Sequence, residues 1–473
     1  MRILPLILGP LSALACLNIS WGIPVEAHRM AALMLWVIVW WLSEAIPLSA
    51  TALLGAALLV AFGICDAKEA FAPFANPVIF LFLGGFLIAR AMQVHGLDRR
   101  LALFVLTRKW GSGSALSAVI TLFAVGAFLS MWISNTATTA LMLPIALGVL
   151  ASLYPESPRA QEVVLIGIAY ACSLGGLGTP VGSPPNAIAL GILNEQKNID
   201  IGFLEWMEIG VPMLIAGLVV LSYFTARELR QCPSTPFGEK IHSLFKELGP
   251  TKKEEWLTLF AVGVVFVLWV GPGILGVLLG NTHPFPSWLD KNIPESVAAM
   301  LAASLLFILP GKNGQLLSWK EATQIDWGAL ILFGGGLSLG TQLFHTGLAA
   351  ILGEFLIRNV GPAGATIFLI ALTYFTIFFT EVASNTASAN LLVPLALSAS
   401  NAFGANASFA VLSVAFSCSL AFMMPVATPP NAIVYGTGKV DMRRMMRLGW
   451  WMNLAMGVVV LLVLRILRGP FVP

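Results

Sequence analysis

Charge is scarce in this sequence of 473 residues. Asp, Glu, Lys and Arg make up 10% of it, whereas a soluble domain carries about 25%. Hydrophobic residues make up 58%, and many charge-free windows run for about 20 residues, the length that crosses the hydrocarbon core of a bilayer. Alternating segments of about 10 residues, the pattern of a transmembrane β-barrel, do not occur. We predict an all-α polytopic membrane protein that lies in the lipid bilayer.

Cysteine pairs, a cleavage site and a large net charge are also lacking. The five cysteines are scattered without a Cys-x-x-Cys pair, which argues against a disulfide framework or a thiolate metal site. The apolar start resembles a signal peptide, but no clear cleavage site follows, so we predict an uncleaved first helix. The net charge of +3 gives no indication of a nucleic-acid partner.

Hydrophobic runs predict about eleven transmembrane helices, at 3–20, 30–47, 49–64, 78–95, 162–192, 208–226, 255–275, 295–310, 327–349, 405–437 and 448–466. Two longer apolar pieces remain, at 113–153 and 362–400, and each is interrupted near its middle by Ser-Asn-Thr. Each piece is either two ordinary spans or one re-entrant hairpin.

Positive charge predicts the orientation. With a cytoplasmic N-terminus and both long pieces taken as hairpins, 18 of the 26 Lys and Arg residues lie inside, as the positive-inside rule requires. Two spans in each piece would give the same count, so charge leaves re-entrance open. We expect a bacterial inner (plasma) membrane protein with its N-terminus in the cytoplasm and its C-terminus outside.

The two halves of the chain are repeats. "ISNTATTALMLP" (133–144) recurs as "ASNTASANLLVP" (383–394), 250 residues later, and "PVGSPPNAI" (180–188) recurs as "PVATPPNAI" (425–433), 245 residues later. The fourth predicted span resembles the ninth, so the copies are offset by an odd number of crossings. This predicts an inverted repeat, as in many secondary transporters, with a first half at 1–226, a cytoplasmic linker at 227–255 and a second half at 256–473.

Paired prolines predict a broken helix in each half, within 162–192 and 405–437. Proline removes a backbone donor and clashes one turn back, so a helix cannot continue through Pro184-Pro185 or Pro429-Pro430. A break exposes carbonyl and N–H groups, which are tolerated at membrane depth only around a protein-lined or watery cavity. Two breaks at matching positions therefore predict a binding site near the midplane.

The two Ser-Asn-Thr turns supply the chemistry of that site. The N–H groups and the dipole at the start of each second arm favour an anionic oxygen, while hydroxyl and amide oxygens also suit a hard cation. Neither turn and neither proline motif contains Lys, Arg or His. A buried dianion without a countercharge is very costly, so we expect Na+ to supply the positive charge, with at least two sites, one in each repeat.

These four motifs resemble those of the divalent anion–sodium symporter family, whose members move succinate and other C4 dicarboxylates, or citrate, or sulfate. The resemblance covers essentially the whole chain. It implies eleven spans with two re-entrant hairpins, a homodimer and elevator-like alternating access with a small-molecule anion as substrate.

Site residues follow from the same resemblance, residue by residue. The first cation site would use Ser130, Ser134, Asn135 and Gly182, and the second Thr380, Ala383, Asn385 and Ala427. Substrate would meet Ser134, Asn135 and Thr136 at one end and Ser384, Asn385 and Thr386 at the other, with Ser183, Thr428 and Pro429 nearby. Ser130 and Thr380 each lie four residues before their motif serine, so the repeat supports this pair independently.

Other functions stay open on the sequence alone. A dicarboxylate or citrate exchanger, a sulfate symporter and proton coupling are alternatives within transport, although an exchanger would carry a basic residue in place of the cation. An intramembrane hydrolase with Ser134 or Ser384 as nucleophile needs a nearby base, and only Glu381 lies close in sequence. A receptor would not require two broken helices. We therefore expect no enzyme, and structural ion-pair or hydrogen-bond roles for Glu44, Arg90 and Glu381.

Overall fold

The computed structural model describes residues 3–108, 114–233, 245–279, 284–312, 314–360 and 364–469. Within these ranges the chain forms helices and connecting turns, and no strand occurs. The prediction of an all-α polytopic membrane protein is confirmed.

The first half comprises eleven α-helices in the described part: α1 Ile3–Asn18, α2 Val25–Ser43, α3 Leu48–Ala61, α4 Ala67–Phe71, α5 Pro77–His95, α6 Leu97–Leu106, α7 Ala115–Ser130, α8 Asn135–Leu153, α9 Pro158–Gly175, α10 Pro184–Lys197 and α11 Phe203–Leu229. Short 3-10 turns at Ala72–Ala75 and Pro180–Gly182 precede α5 and α10.

The second half repeats much of this order: α12 Lys253–Leu279, α13 Pro284–Asn292, α14 Glu295–Ile308, α15 Trp319–Ala322, α16 Trp327–His345, α17 Leu348–Val360, α18 Ala365–Thr380, α19 Asn385–Ala402, α20 Ala407–Cys418, α21 Pro429–Tyr435 and α22 Met442–Leu467. The predicted spans at 78–95 and 327–349 correspond to α5 and α16, and the helices that follow them, α6 and α17, were not predicted. A left-handed glycine divides each pair, Gly96 (φ 69°) and Gly347 (φ 75°).

Seven described helical stretches have the length and composition to cross a membrane, and six shorter apolar helices accompany them. The eleven-span count stays a prediction, because length and composition alone do not separate spans from hairpin arms. α8, the second arm of the first long piece, is itself among the seven.

Each predicted broken span is two helices. In the first half α9 ends at Gly175 and α10 begins at Pro184, which leaves a break at 176–183; in the second half the break runs from 419 to 428 between α20 and α21. Both helices resume on the motif proline, because the first helical position needs no N–H. Each break ends at the proline pair that predicted it, but it begins several residues before that pair.

The two halves interlock through these pieces. α10, from the first break, packs against α19, and α21, from the second break, packs against α8. Each resumed helix thus lies on the Ser-Asn-Thr helix of the opposite half. The polar turns and the breaks are therefore brought into the same part of the molecule.

Candidate cation and anion site

The first polar turn contacts its own break through Asn135. The Ser130 hydroxyl donates a hydrogen bond to Asn135 Oδ1 (2.7 Å). A Cβ built on Gly176 would lie 2.8 Å from the same Oδ1 and 3.1 Å from the Gly182 carbonyl oxygen. Three predicted ligands, Ser130, Asn135 and Gly182, therefore come together around Gly176, where only a glycine leaves room.

The second polar turn repeats this arrangement with one additional contact. Thr380 Oγ1 lies 2.8 Å from Asn385 Oδ1 and 2.9 Å from the Cys418 carbonyl oxygen. A hydroxyl has one hydrogen and both neighbours are acceptors, so one of the two oxygen–oxygen contacts has no hydrogen in it. A cluster of oxygens with more acceptors than hydrogens is suited to a hard cation, which takes oxygen ligands.

The two clusters are joined by a contact between the breaks. Ser183 Oγ lies 2.9 Å from Ser419 Oγ, and both side chains are buried. Ser183 follows Gly182 of the first cluster, and Ser419 follows Cys418 of the second. The residue that follows each cluster in the chain is therefore in contact with its counterpart from the other half.

The motif asparagines Asn186 and Asn431 were missed as site residues. Asn186 Nδ2 donates to the carbonyl oxygens of Gly176 and Thr179 (both 2.8 Å). Asn431 Nδ2 donates to those at the equivalent positions of its own break (3.1 and 3.0 Å). Both side chains are fully buried. Each amide thus fixes the shape of a break, and the only sequence signal was its place in both copies of Pro-Pro-Asn-Ala-Ile.

The remaining predicted substrate residues lie around the two tips. Ser134 caps α8 by accepting from Ala137 N (3.3 Å), and Thr428 caps α21 by accepting from Asn431 N (3.3 Å). The others range from exposed to half-buried: Thr136 and Pro429 are exposed, and Ser384 and Thr386 are half-buried. These four side chains are therefore at least partly exposed at the tips.

Two predicted ligands are not joined to the second cluster by any hydrogen bond. Ala383 is buried and Ala427 half-buried, and within the described ranges their carbonyl oxygens accept nothing from Thr380 or Asn385. Their carbonyl roles stay predictions.

The three charges within predicted spans have different surroundings. Glu44 is exposed and ends α2 in a left-handed conformation. Arg90 donates to Gln324 Oε1 and to the Glu321 carbonyl oxygen. Glu381 is buried and accepts hydrogen bonds from a run of backbone N–H groups in the second break, so its role is bound up with the site.

An α-helical membrane protein with two interlocked broken helices and two polar helix tips in contact with them belongs to the class of membrane transporters. The chain belongs to one family of that class: the model described as "Sodium:sulfate symporter transmembrane region" matches residues 4–470. It is a transporter and not an enzyme.

Named relatives cover almost the whole chain. It is 34% identical to a sodium-dependent dicarboxylate transporter SdcS of Staphylococcus saprophyticus, over 99% of this chain and 92% of the relative. It is 33% identical to the protein of the same name in Staphylococcus aureus, over 98% and 90%. It is also 39% identical to an uncharacterized transporter of Haemophilus influenzae, over 92% and 90%.

Two solved structures share the fold. The YdaH transporter of Alcanivorax borkumensis matches with a TM-score of 0.61 at 14% identity, covering 95% of this chain and all of that one. MtrF of Neisseria gonorrhoeae, described as illuminating a class of antimetabolite efflux pumps, matches with a TM-score of 0.55 at 12% identity, covering 95% and 96%. At these identities the likeness concerns the fold alone.

Proposed function

We propose that this protein is a secondary active transporter that couples Na+ to the symport of a divalent anion, a C4 dicarboxylate such as succinate, malate or fumarate, by alternating access. The observation that carries the proposal is the pair of oxygen clusters around Asn135 and Asn385, joined through Ser183 and Ser419. Two clusters of this kind suit two cations, whose charge balances that of a dianion.

Electrostatics supports the same assignment. The helices α8 and α19 present their N-termini at the two tips, where the dipole and free N–H groups favour a carboxylate. Each end of a dicarboxylate would then meet one tip, with hydroxyls of Ser134, Thr136, Ser384 and Thr386 as donors. The neutral motifs leave charge neutralisation to Na+.

The substrate assignment is supported by the two named relatives, which are sodium-dependent dicarboxylate transporters. The family description instead names sulfate, so sulfate is the second candidate. The resemblance also supports a homodimer, which light scattering of the detergent-solubilised protein would test, and a location in a bacterial inner membrane with the N-terminus in the cytoplasm.

Uptake into proteoliposomes tests the proposal. Labelled succinate should accumulate when Na+ is outside and should not when choline or K+ replaces Na+. Unlabelled malate and fumarate should compete, and competition by sulfate alone would select the second candidate. Uptake that persists without Na+, and that instead depends on preloaded dicarboxylate, would replace symport by exchange.

The voltage dependence of uptake tests the cation number. With two Na+ for each dianion the cycle moves no net charge, so a K+ diffusion potential set with valinomycin should leave the rate unchanged. Acceleration by an inside-negative potential would indicate at least one further cation.

A further inference from the structure

The helix α10 and the break before it pack against α5 and α16 through glycines and aliphatic side chains. A Cβ built on Gly191 of α10 would lie 3.0 Å from Leu337 Cδ2 of α16. A Cβ built on Gly85 of α5 would lie 3.4 Å from Val181 Cγ1 in the first break. Apolar contacts of this kind are non-directional, so polar contacts at the edge of the interface can decide how firmly α10 is held.

The carboxylate of Glu195, near the end of α10, supplies such contacts. Its Oε1 accepts a hydrogen bond from Asn76 Nδ2 (2.8 Å), and its Oε2 accepts one from Thr341 Oγ1 (2.9 Å). Asn76 caps α5, and Thr341 lies in the last two turns of α16. The two oxygens of one carboxylate therefore tie α10 to both helices.

These hydrogen bonds join a helix of the candidate site to two helices outside it. α10 begins at the first break and packs against α19 and α20, which flank the second cluster. α5 and α16 carry none of the candidate ligands, and they pack against α14 and α3 respectively. A movement of the site relative to α5 and α16 would therefore have to break the contacts of Glu195.

The second half is arranged differently. α21 is the counterpart of α10, and its main packing partners are α8 and α9 rather than α5 and α16. The position 245 residues after Glu195 is a valine, Val440. Val181 in the first break has 6% of its surface exposed, whereas its counterpart Val426 in the second break has 83%. One break is covered and the other is open, as in one end state of an alternating-access cycle.

We propose that Glu195 is a conformational latch that favours the state in which the first break is covered. While its carboxylate bonds to Asn76 and Thr341, α10 stays against α5 and α16. Loss of the two hydrogen bonds makes it easier for α10 to leave these helices, which uncovers Val181. In an inverted repeat the opposite state exchanges the arrangements of the two halves, so Val426 is then covered. This inference rests on alternating access, and thus on the proposed function.

Labelling of reporter cysteines with a maleimide measures the balance between the two states. Val181→Cys and Val426→Cys are made separately, each with Cys65 and Cys232 replaced by serine, and labelling of the purified protein without Na+ or anion is followed by site-resolved mass spectrometry. A position exposed only in a minor state labels in proportion to the population of that state. With Glu195 present we expect Val426→Cys to label fast and Val181→Cys slowly.

Removal of the latch should accelerate labelling in the first break. We expect Glu195→Ala to raise the rate at Val181→Cys about fivefold, because a net hydrogen bond is worth about a factor of five in an equilibrium constant. Thr341→Val removes one of the two bonds and should raise the rate less. Added to Glu195→Ala, it should have no further effect, because the contact is already lost.

The matched control is Glu205→Ala. Glu205 is an exposed carboxylate on α11 and forms no hydrogen bond or salt bridge among the described residues. Its replacement should leave both labelling rates unchanged. A general loosening of the first half gives a different result, because Cys172, buried on α9, would then label as well.

Three outcomes would overturn the proposal: equal rates at Val181→Cys with and without Glu195, an undiminished effect of Thr341→Val in the Glu195→Ala variant, or labelling of Cys172 along with the reporter. If Glu195→Ala does not fold, Asn76→Asp takes its place. That change keeps the oxygen that caps α5 but places a second negative charge against Glu195, so it should raise the rate at Val181→Cys, and an unchanged rate counts against the latch.

Failure of this inference is distinguishable from failure of the proposed function. In the former case the wild type shows Na+-dependent uptake of a divalent anion, but Glu195→Ala labels as the wild type does. In the latter the wild type itself takes up no divalent anion in response to Na+.

Discussion

The Thr380 hydroxyl lies 2.8 Å from the side-chain oxygen of Asn385, across the turn that separates α18 from α19. Ser130 has the same relation to Asn135, at 2.7 Å. Both pairs span the point where one helix ends and the next begins. A ligand that draws these oxygens together would therefore also fix the angle of the hairpin tip.

Removing the hydroxyl should weaken Na+ binding selectively. We expect Ser130→Ala and Thr380→Ala to raise the Na+ concentration for half-maximal uptake by about tenfold, since a contact to a charged group is worth roughly 1.5–3 kcal/mol. The KM for the anion at saturating Na+ should change little. The matched control is Thr376→Ala, one turn earlier, because within the described ranges the Thr376 hydroxyl bonds only to the Leu372 carbonyl oxygen. An anion KM that rises as much as the Na+ requirement would contradict separate roles.

A methyl group at Gly176 should disturb the first cluster. Its Cβ would lie 2.8 Å from Asn135 Oδ1 and 3.1 Å from the Gly182 carbonyl oxygen, so Asn135 has to move. We expect Gly176→Ala to raise the Na+ requirement at least as much as Ser130→Ala. Gly263→Ala on α12 meets nothing within 4 Å and should behave as the wild type. Wild-type Na+ activation of Gly176→Ala would show that Asn135 does not need its present position.

Much of this site follows from the repeat, because a function carried twice leaves the same residue types at matching positions. Ser130 and Thr380 are recognisable in this way, and so are the break prolines. Cys418 and Gly176 are not. Cys418 contributes a carbonyl oxygen, which every residue type has, and Gly176 contributes space. Side-chain chemistry in the sequence carries no signal for either.

The start of each break was predicted less well than its end. Proline fixes the end because it cannot occupy the interior of a helix. The start of the first break coincides with Gly175 and Gly176, but the second break starts after Cys418, in "SLAFMMP", where no helix-breaking residue precedes Pro425. Its geometry depends on tertiary contacts such as those of Glu381, which no local pattern encodes.

The buried amides of Asn186 and Asn431 should contribute mainly to stability. Each donates to two backbone carbonyl oxygens, and an acceptor left buried without a partner costs about 1–3 kcal/mol. We expect Asn186→Ala and Asn431→Ala each to lower the free energy of unfolding by about 2–4 kcal/mol. Thermal unfolding in detergent measures this. A melting temperature within error of the wild type would argue against the two bonds.

Cysteine labelling tests whether the long pieces are re-entrant. In a background with Cys65 and Cys232 replaced by serine, a single cysteine is placed at Arg108, Glu156, Gly364 or Ala407, and whole cells are treated with an impermeant maleimide. We expect neither position flanking the first piece to label from outside, and both positions flanking the second to label. Opposite behaviour of the two flanks of one piece would replace that hairpin by two spans.

Asn135 and Asn385 should each serve cation and anion together. In both, Oδ1 lies within hydrogen-bond distance of the hydroxyl of the preceding helix, while the amide NH₂ of the same side chain donates no hydrogen bond among the described residues and can act as a donor at the helix N-terminus. An oxygen for Na+ and a donor for a carboxylate on one planar group would couple the two ligands, because each orients the amide for the other.

Replacing these asparagines should therefore change the dependence of uptake on Na+ and its dependence on the anion. We expect Asn135→Ala and Asn385→Ala to raise the Na+ requirement and the anion KM, each by about tenfold, when one ligand is titrated at a saturating level of the other. Asn→Asp keeps the oxygen but loses the donor and places a negative charge toward the dianion, so it should raise the anion KM more than the Na+ requirement. Ser130→Ala and Thr380→Ala are the matched controls, since they should act on Na+ alone. If the alanine variants of Asn135 and Asn385 altered only the Na+ requirement or only the anion KM, the asparagines would not be shared ligands. The coupling between Na+ and the anion would then have to depend on the two helix breaks instead.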